Sequence, residues 1–296
     1  MRVSTSTKAA LISVAVGAVA AGFVIGYKTT HQPQPEPTTA PMATQQPLSL
    51  PAAPPPSLPA PTEDVQTSFE QLAATLPAEV GVAVSAGDQT SSYGTWQSGA
   101  AWSTIKVPLS IAALRKDTGA AEPFVTSAIT QSDNYAADQL WAMLGAPSEA
   151  GFAVQAVLAE GRVPEVSVQT AQVRPPYSAY GQTQWSLPQA AQFAFHLPCL
   201  SAESVLSQMR SVASDQQWGL AGEAGVAAKG GWGPESDGGY LVRQIAVVGD
   251  SPSAFGVAIA AKPSDGSFAT GTAMLDQLGD WVLDHREQMP KGSCGG

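Results

Sequence analysis

Residues 101–115, Ala-Trp-Ser-Thr-Ile-Lys-Val-Pro-Leu-Ser-Ile-Ala-Ala-Leu-Arg, place Ser103 and Lys106 three positions apart at the head of an apolar run. On a helix that spacing brings both side chains to one face. Val107, Leu109, Ile111, Ala112 and Leu114 continue the apolar pattern and Ser103 is a good N-cap, which predicts a helix starting at Ser103 and opened as a tighter turn or kinked at Pro108. Lys106 then falls in the first turn, where the positive end of the helix dipole disfavours a cation by roughly 0.3–1 kcal/mol and eases access to its neutral form. Such a lysine suits the task of taking a proton from a neighbouring serine hydroxyl, provided burial lowers its pKa further. No other lysine in the chain has a serine three positions earlier. A capped helix with an incidental lysine is the alternative that a single pair leaves open.

The composition narrows what such a pair can serve. With 296 residues, 44% of them hydrophobic, the chain can bury a large core. Its 24 acidic against 14 basic side chains give a net charge of −10, which repels a nucleic-acid backbone and excludes DNA or RNA as an expected partner. Two cysteines, Cys199 and Cys294, are too few for a four-thiolate zinc site and lack redox spacing. The histidines stand in no His-Glu-x-x-His pattern and there is no Gly-x-Ser-x-Gly elbow, so neither a metalloprotease nor a Ser-His-Asp enzyme is indicated. No metal or cofactor is expected.

Residues 1–28 comprise a short basic stub with Arg2 and Lys8, then an uncharged run of 19 residues from Ala9 to Tyr27 ended by Lys28. That run is long enough to span a bilayer and reads as a membrane anchor or a signal peptide, with Ala18-Val19-Ala20 as a cleavage site. Either predicts an extracytoplasmic protein, tethered to the cell membrane or secreted. Residues 29–62, with PQPEP, PAAPPP and LPAP, form a Pro-rich linker that favours extended segments. Residues 63–296 are the globular domain. There Cys199 and Cys294 are expected to form a disulfide, being the only two cysteines of an exported domain, one of them in a GSCGG tail that needs fastening.

Within that domain DVQTSFEQLAATL recurs at helical spacing, and EVGVAVSA and SSYGTW form a strand pair about Ala86-Gly87-Asp88. EPFVTSAITQ and NYAADQLWAMLG are helical and meet at Gln131 to Asn134; a further helix is expected over 149–160. Residues 161–185, with three prolines, form a long irregular segment of the kind that serves a site or a packing role. Two short helices follow over 187–195 and 202–212, then three strand-like runs, GEAGVAAKGGW, GGYLVRQIAVVG and SAFGVAIAAK, and a closing helix over 268–285. This order describes an α+β fold, an α/β sandwich with an antiparallel five-stranded sheet flanked by helices plus an all-helical lobe.

Ser103-Thr104-Ile105-Lys106, Ser132-Asp133-Asn134 and Lys229-Gly230-Gly231 stand in that order on an expected helix, helix junction and strand. In order and context they resemble the motifs of the serine β-lactamase and penicillin-binding-protein superfamily, over roughly residue 80 to the C-terminus. The resemblance implies that fold, with Ser103 as nucleophile, Lys106 as its proton acceptor and Ser132 as proton shuttle to the leaving group. It makes Asn134 the residue that orients Lys106 and a substrate amide, and Lys229 a positive charge for Ser132 and a substrate carboxylate. The N–H groups of Ser103 and Trp232 would form the oxyanion hole.

The sequence departs from that pattern in three places. Gly230 and Gly231 follow Lys229 where the family usually has a hydroxyl residue in the middle, so Arg243, on the next strand, becomes the candidate to bind a carboxylate. The interval from Ser103 to Ser132 is short for a class A β-lactamase, which predicts a reduced helical lobe. Residues 161–185 contain no Glu-x-x-Asn, leaving Glu165 as the obvious acid there to activate a water. The function expected is serine acylation by a peptidoglycan stem peptide or a β-lactam, with slow deacylation. A true class A β-lactamase and a non-catalytic cell-wall or partner-binding module on the same fold are the competing readings.

Overall fold

The computed structural model describes residues 64–294, so the expected anchor and linker, 1–28 and 29–62, lie outside the described residues. Helix α1 (Val65–Thr75) leads into β1 (Ala78–Ala86) and β2 (Gln89–Gly94), which pair antiparallel. The helical lobe holds α2 (Lys106–Lys116), α3 (Thr118–Thr130), α4 (Asn134–Leu144) and α5 (Pro147–Glu160). Two short helices follow, α6 (Leu187–His196) and α7 (Glu203–Met209). Strands β5 (Val226–Pro234), β6 (Tyr240–Val248) and β7 (Phe255–Pro263) and helix α8 (Phe268–Asp284) complete the fold. The sheet is five-stranded and antiparallel, as the sequence predicts, and its strands stand in the order β2-β1-β7-β6-β5.

The central strands are buried on both faces, and their alternation sorts two cores. Val80, Val82 and Val84 pack with Phe69 of α1 and with Leu275, Leu278 and Val282 of α8. On the other face Gly81, Ala83, Gly256 and Ala258 are small, which lets α6 lie close on the sheet: a Cβ at Gly256 would stand 2.1 Å from the Ala191 carbonyl. Helix α2 is buried from Lys106 to Ala113, almost all round, and is the axis of the lobe.

Two details differ from expectation. The segment opens as a tighter turn, as the sequence allows, the 3₁₀ turn Trp102–Ile105, but α2 proper begins at Lys106 and not at Ser103, with no side-chain cap from Ser103. The tighter turn leaves Ser103 Oγ unengaged, and Pro108, in the first turn of α2, lacks an N–H that the helix would not have bonded. Two three-residue strands, β3 (Ser98–Ala100) and β4 (Gln184–Ser186), pair with each other beside the main sheet. They are too short to show a period of two in the sequence.

Candidate active site

Four elements converge on one cleft. The turn before α2 presents Ser103, half-buried between the buried Trp102 and Thr104. Trp102 has φ +49°, and the same turn is pressed against β5: a Cβ at Gly231 would lie 2.8 Å from Ser103 N and 2.9 Å from Thr104 N. Only glycine allows that approach. Ser103 and Trp232, whose N–H groups the resemblance assigns to the oxyanion hole, both line the cleft, which encloses about 700 Å³.

Ser132 joins the two lysines. Asp133 caps α4, its carboxylate accepting from Tyr135 N at 2.8 Å, and Ser132 just before it adopts φ +56°. In that left-handed conformation its carbonyl accepts from Lys106 Nζ at 2.6 Å while its hydroxyl accepts from Lys229 Nζ at 2.9 Å. Lys106 Nζ also donates to Asn134 Oδ1 at 2.8 Å, and Lys229 Nζ to the Gly230 carbonyl at 2.9 Å. Despite the short interval from Ser103, Ser132 therefore reaches both. Burial lowers the Lys106 amine to about 8, against the opposing pull of Asp133 and Asp138. Burial first, and then the neighbouring Lys106 charge, hold Lys229 well below the ordinary lysine range. Among the described residues Ser103 Oγ has no hydrogen-bond partner, so it is free to meet a ligand.

Two expected contributors are elsewhere. Arg243 does not line the cleft; it is fully buried under the β3/β4 ribbon, where its Nη1 donates to the carbonyls of Gly99, Ala100 and Trp185. It points there because its register partner across the sheet is Gly231, which has no side chain to block the way. Glu165 is exposed, accepts from Gln189 Nε2 at 3.0 Å and is not among the cleft residues. The carboxylate that does line the cleft is Asp138, one turn beyond Asn134 on α4, accepting from Tyr180 Oη at 2.7 Å. The i, i+4 spacing from Asn134 was its signal in the sequence. Tyr180 and Tyr177, from the 161–185 segment, carried none. Among the described residues no group of His, Cys, Asp or Glu is placed to hold a metal ion.

This sheet, lobe and cleft together make a serine β-lactamase-like fold. Among solved structures, the extended-spectrum β-lactamase TLA-3 superposes with a TM-score of 0.60 at 16% identity, covering 76% of this chain and 99% of that one. An ancestral class A β-lactamase gives 0.57 at 18%, covering 75% and 99%. The β-lactamase from Streptosporangium roseum gives 0.57 at 16%, covering 74% and 97%. At such identities the likeness is one of fold. No protein-family model and no curated protein matches the sequence.

Proposed function

We propose that the chain is an exported serine hydrolase or acyltransferase that forms an acyl-enzyme on Ser103, with a cell-wall peptide or a β-lactam mimic as acyl donor. The observation that carries this reading is Ser132, held by Lys106 through its carbonyl and by Lys229 through its hydroxyl, beside an unengaged Ser103 in an open cleft. A lysine lowered to about 8 supplies neutral amine near physiological pH, as a base for a serine requires. In this reading Ser132 returns the proton to the leaving group. The 161–185 segment sends no carboxylate into the cleft, so the acyl-enzyme is expected to be long-lived, unlike that of a true class A β-lactamase.

Export rests on the uncharged run from Ala9 to Tyr27 and on the pairing of both cysteines. Among the described residues no helix is long and apolar enough to cross a membrane. Intact-mass measurement over time, after mixing with a fluorescent penicillin or a fluorophosphonate, tests the chemistry. An adduct that persists for minutes and is absent in Ser103→Ala is expected. Rapid multiple turnover of a penicillin would favour the β-lactamase instead, and a folded protein inert to both probes the non-catalytic module.

A further inference from the structure

The charges that a substrate would meet are distributed unevenly around Ser103. Along β5 and the start of β6 the wall is Trp232, Gly233, Pro234 and Tyr240, without a charged side chain. Trp232 packs on Phe268 with ring centroids 5.2 Å apart and on Trp218 at 6.1 Å. A Cβ at Gly230 would stand 2.3 Å from the Trp218 ring, so the indole occupies the place of any side chain there. Across the cleft, Tyr177 meets Trp102 edge-on at 5.1 Å.

Besides Lys106, whose amine is held by the Ser132 carbonyl and Asn134 Oδ1, no cation among the described residues lines the cleft. Lys229 is 1% exposed and spends its amine on Ser132 Oγ and the Gly230 carbonyl. Arg243 is sealed under the ribbon. Arg174, at the rim, donates to Gln182 Oε1 at 3.2 Å and to the Pro234 carbonyl at 2.7 Å, and lies over the Trp102 and Tyr177 rings. Negative charge is present as well: Asp138 lines the cleft, and Glu235 accepts from Nε1 of the lining residue Trp102 at 3.3 Å. A carboxylate brought to the β5 wall would lose water without meeting an unengaged cation, whereas a flat apolar group would meet the rings of Trp102, Tyr177, Trp232 and Tyr240 that line the cleft.

We propose that the cleft takes acyl donors whose leaving side is uncharged and apolar or aromatic, such as an aryl ester or an amide with no neighbouring carboxylate, in preference to donors carrying a carboxylate there. This rests on the acyl-enzyme reading and narrows its donors: a stem peptide or a penicillin, each with a carboxylate on the leaving side, becomes the poorer acyl donor. With an aryl ester, Ser103 Oγ bonds to the acyl carbon and the ester C–O bond breaks. The serine proton passes through Lys106 and Ser132 to the departing oxygen, releasing a phenol. Water then cleaves the acyl-serine to carboxylic acid and free enzyme, with no other reagent consumed.

The test compares phenyl acetate with 4-carboxyphenyl acetate, rates with Ser103→Ala being subtracted. Phenyl acetate should be turned over with a kcat/KM at least about tenfold higher, because the carboxylate meets no unengaged cation in the site. Trp232→Ala should narrow the gap by slowing phenyl acetate about three- to tenfold. Equal or faster Ser103-dependent turnover of the carboxylated ester overturns the inference. So does labelling of Ser103 by a penicillin in a protein inert to both esters, an outcome that leaves the acyl-enzyme reading intact. A Ser103 that reacts with no ester, penicillin or fluorophosphonate removes that reading, and the inference with it.

Discussion

Lys106 occupies the first position of α2, buried, with its amine between the Ser132 carbonyl and Asn134 Oδ1. If it is the base, acylation needs the neutral amine, so the rate should fall about tenfold per pH unit below about 8 and level off above it. The carboxylates of Asp133 and Asp138 favour the charged form and hold that midpoint up against burial. Removing one must lower it: Asp138→Asn should move the profile to lower pH, and Lys106→Ala should abolish Ser103 labelling in a folded protein. A profile that stays in place in Asp138→Asn, or labelling undiminished in Lys106→Ala, would locate the base elsewhere. Both are read from stopped-flow labelling across pH.

Arg243 shows an element-scale problem that no single position reveals. Its guanidinium reaches from β6 to three carbonyls of β3 and β4 and stacks on Trp96 at 5.5 Å, joining ribbon to sheet, while Nε and Nη2 are buried without partners. Arg243→Ala should therefore lower stability by about 2–4 kcal/mol, through the cavity and the carbonyls left behind, and leave the acylation rate of the folded fraction unchanged. Urea unfolding beside labelling kinetics checks this, and a selective loss with carboxylate-bearing donors would restore the role that its strand position suggested.

The same contrast explains what was legible. Helices and the five long strands announce themselves by their periods of apolar residues, and Ser103, Lys106, Ser132 and Lys229 by local spacing. Three residues of β3 carry no period, and the burial of Arg243 depends on a partner 144 positions away, at Gly99. Trp218, in the loop between α7 and β5, lies over Gly230 where that loop is tied to α8 by Gly219 N donating to Asp276, so the aromatic wall was invisible in any one segment alone.

At the scale of the molecule, the Cys199–Cys294 disulfide closes a separation of 95 residues that contains α7, β5, β6, β7 and α8. It ties the tail beyond α8 to the turn after α6, and Gly292 also pairs with Ala254 at the start of β7. The cleft lies elsewhere, since neither cysteine is among its lining residues. The bond should thus matter to stability and not to chemistry. In the chain-entropy account it restricts the unfolded state by roughly 4–5 kcal/mol, which for a domain of this size corresponds to about 8–20 °C in Tm. The Cys199→Ser, Cys294→Ser double variant, and the parent protein under reductant, should both melt lower by that margin while the folded molecules keep the parent rate of Ser103 labelling. Melting within about 2 °C of the parent would show that the unfolded chain is already compact enough for the cross-link to restrict it little. Two free thiols in protein purified from an oxidising compartment would remove the pairing itself, and with it one of the two supports for export.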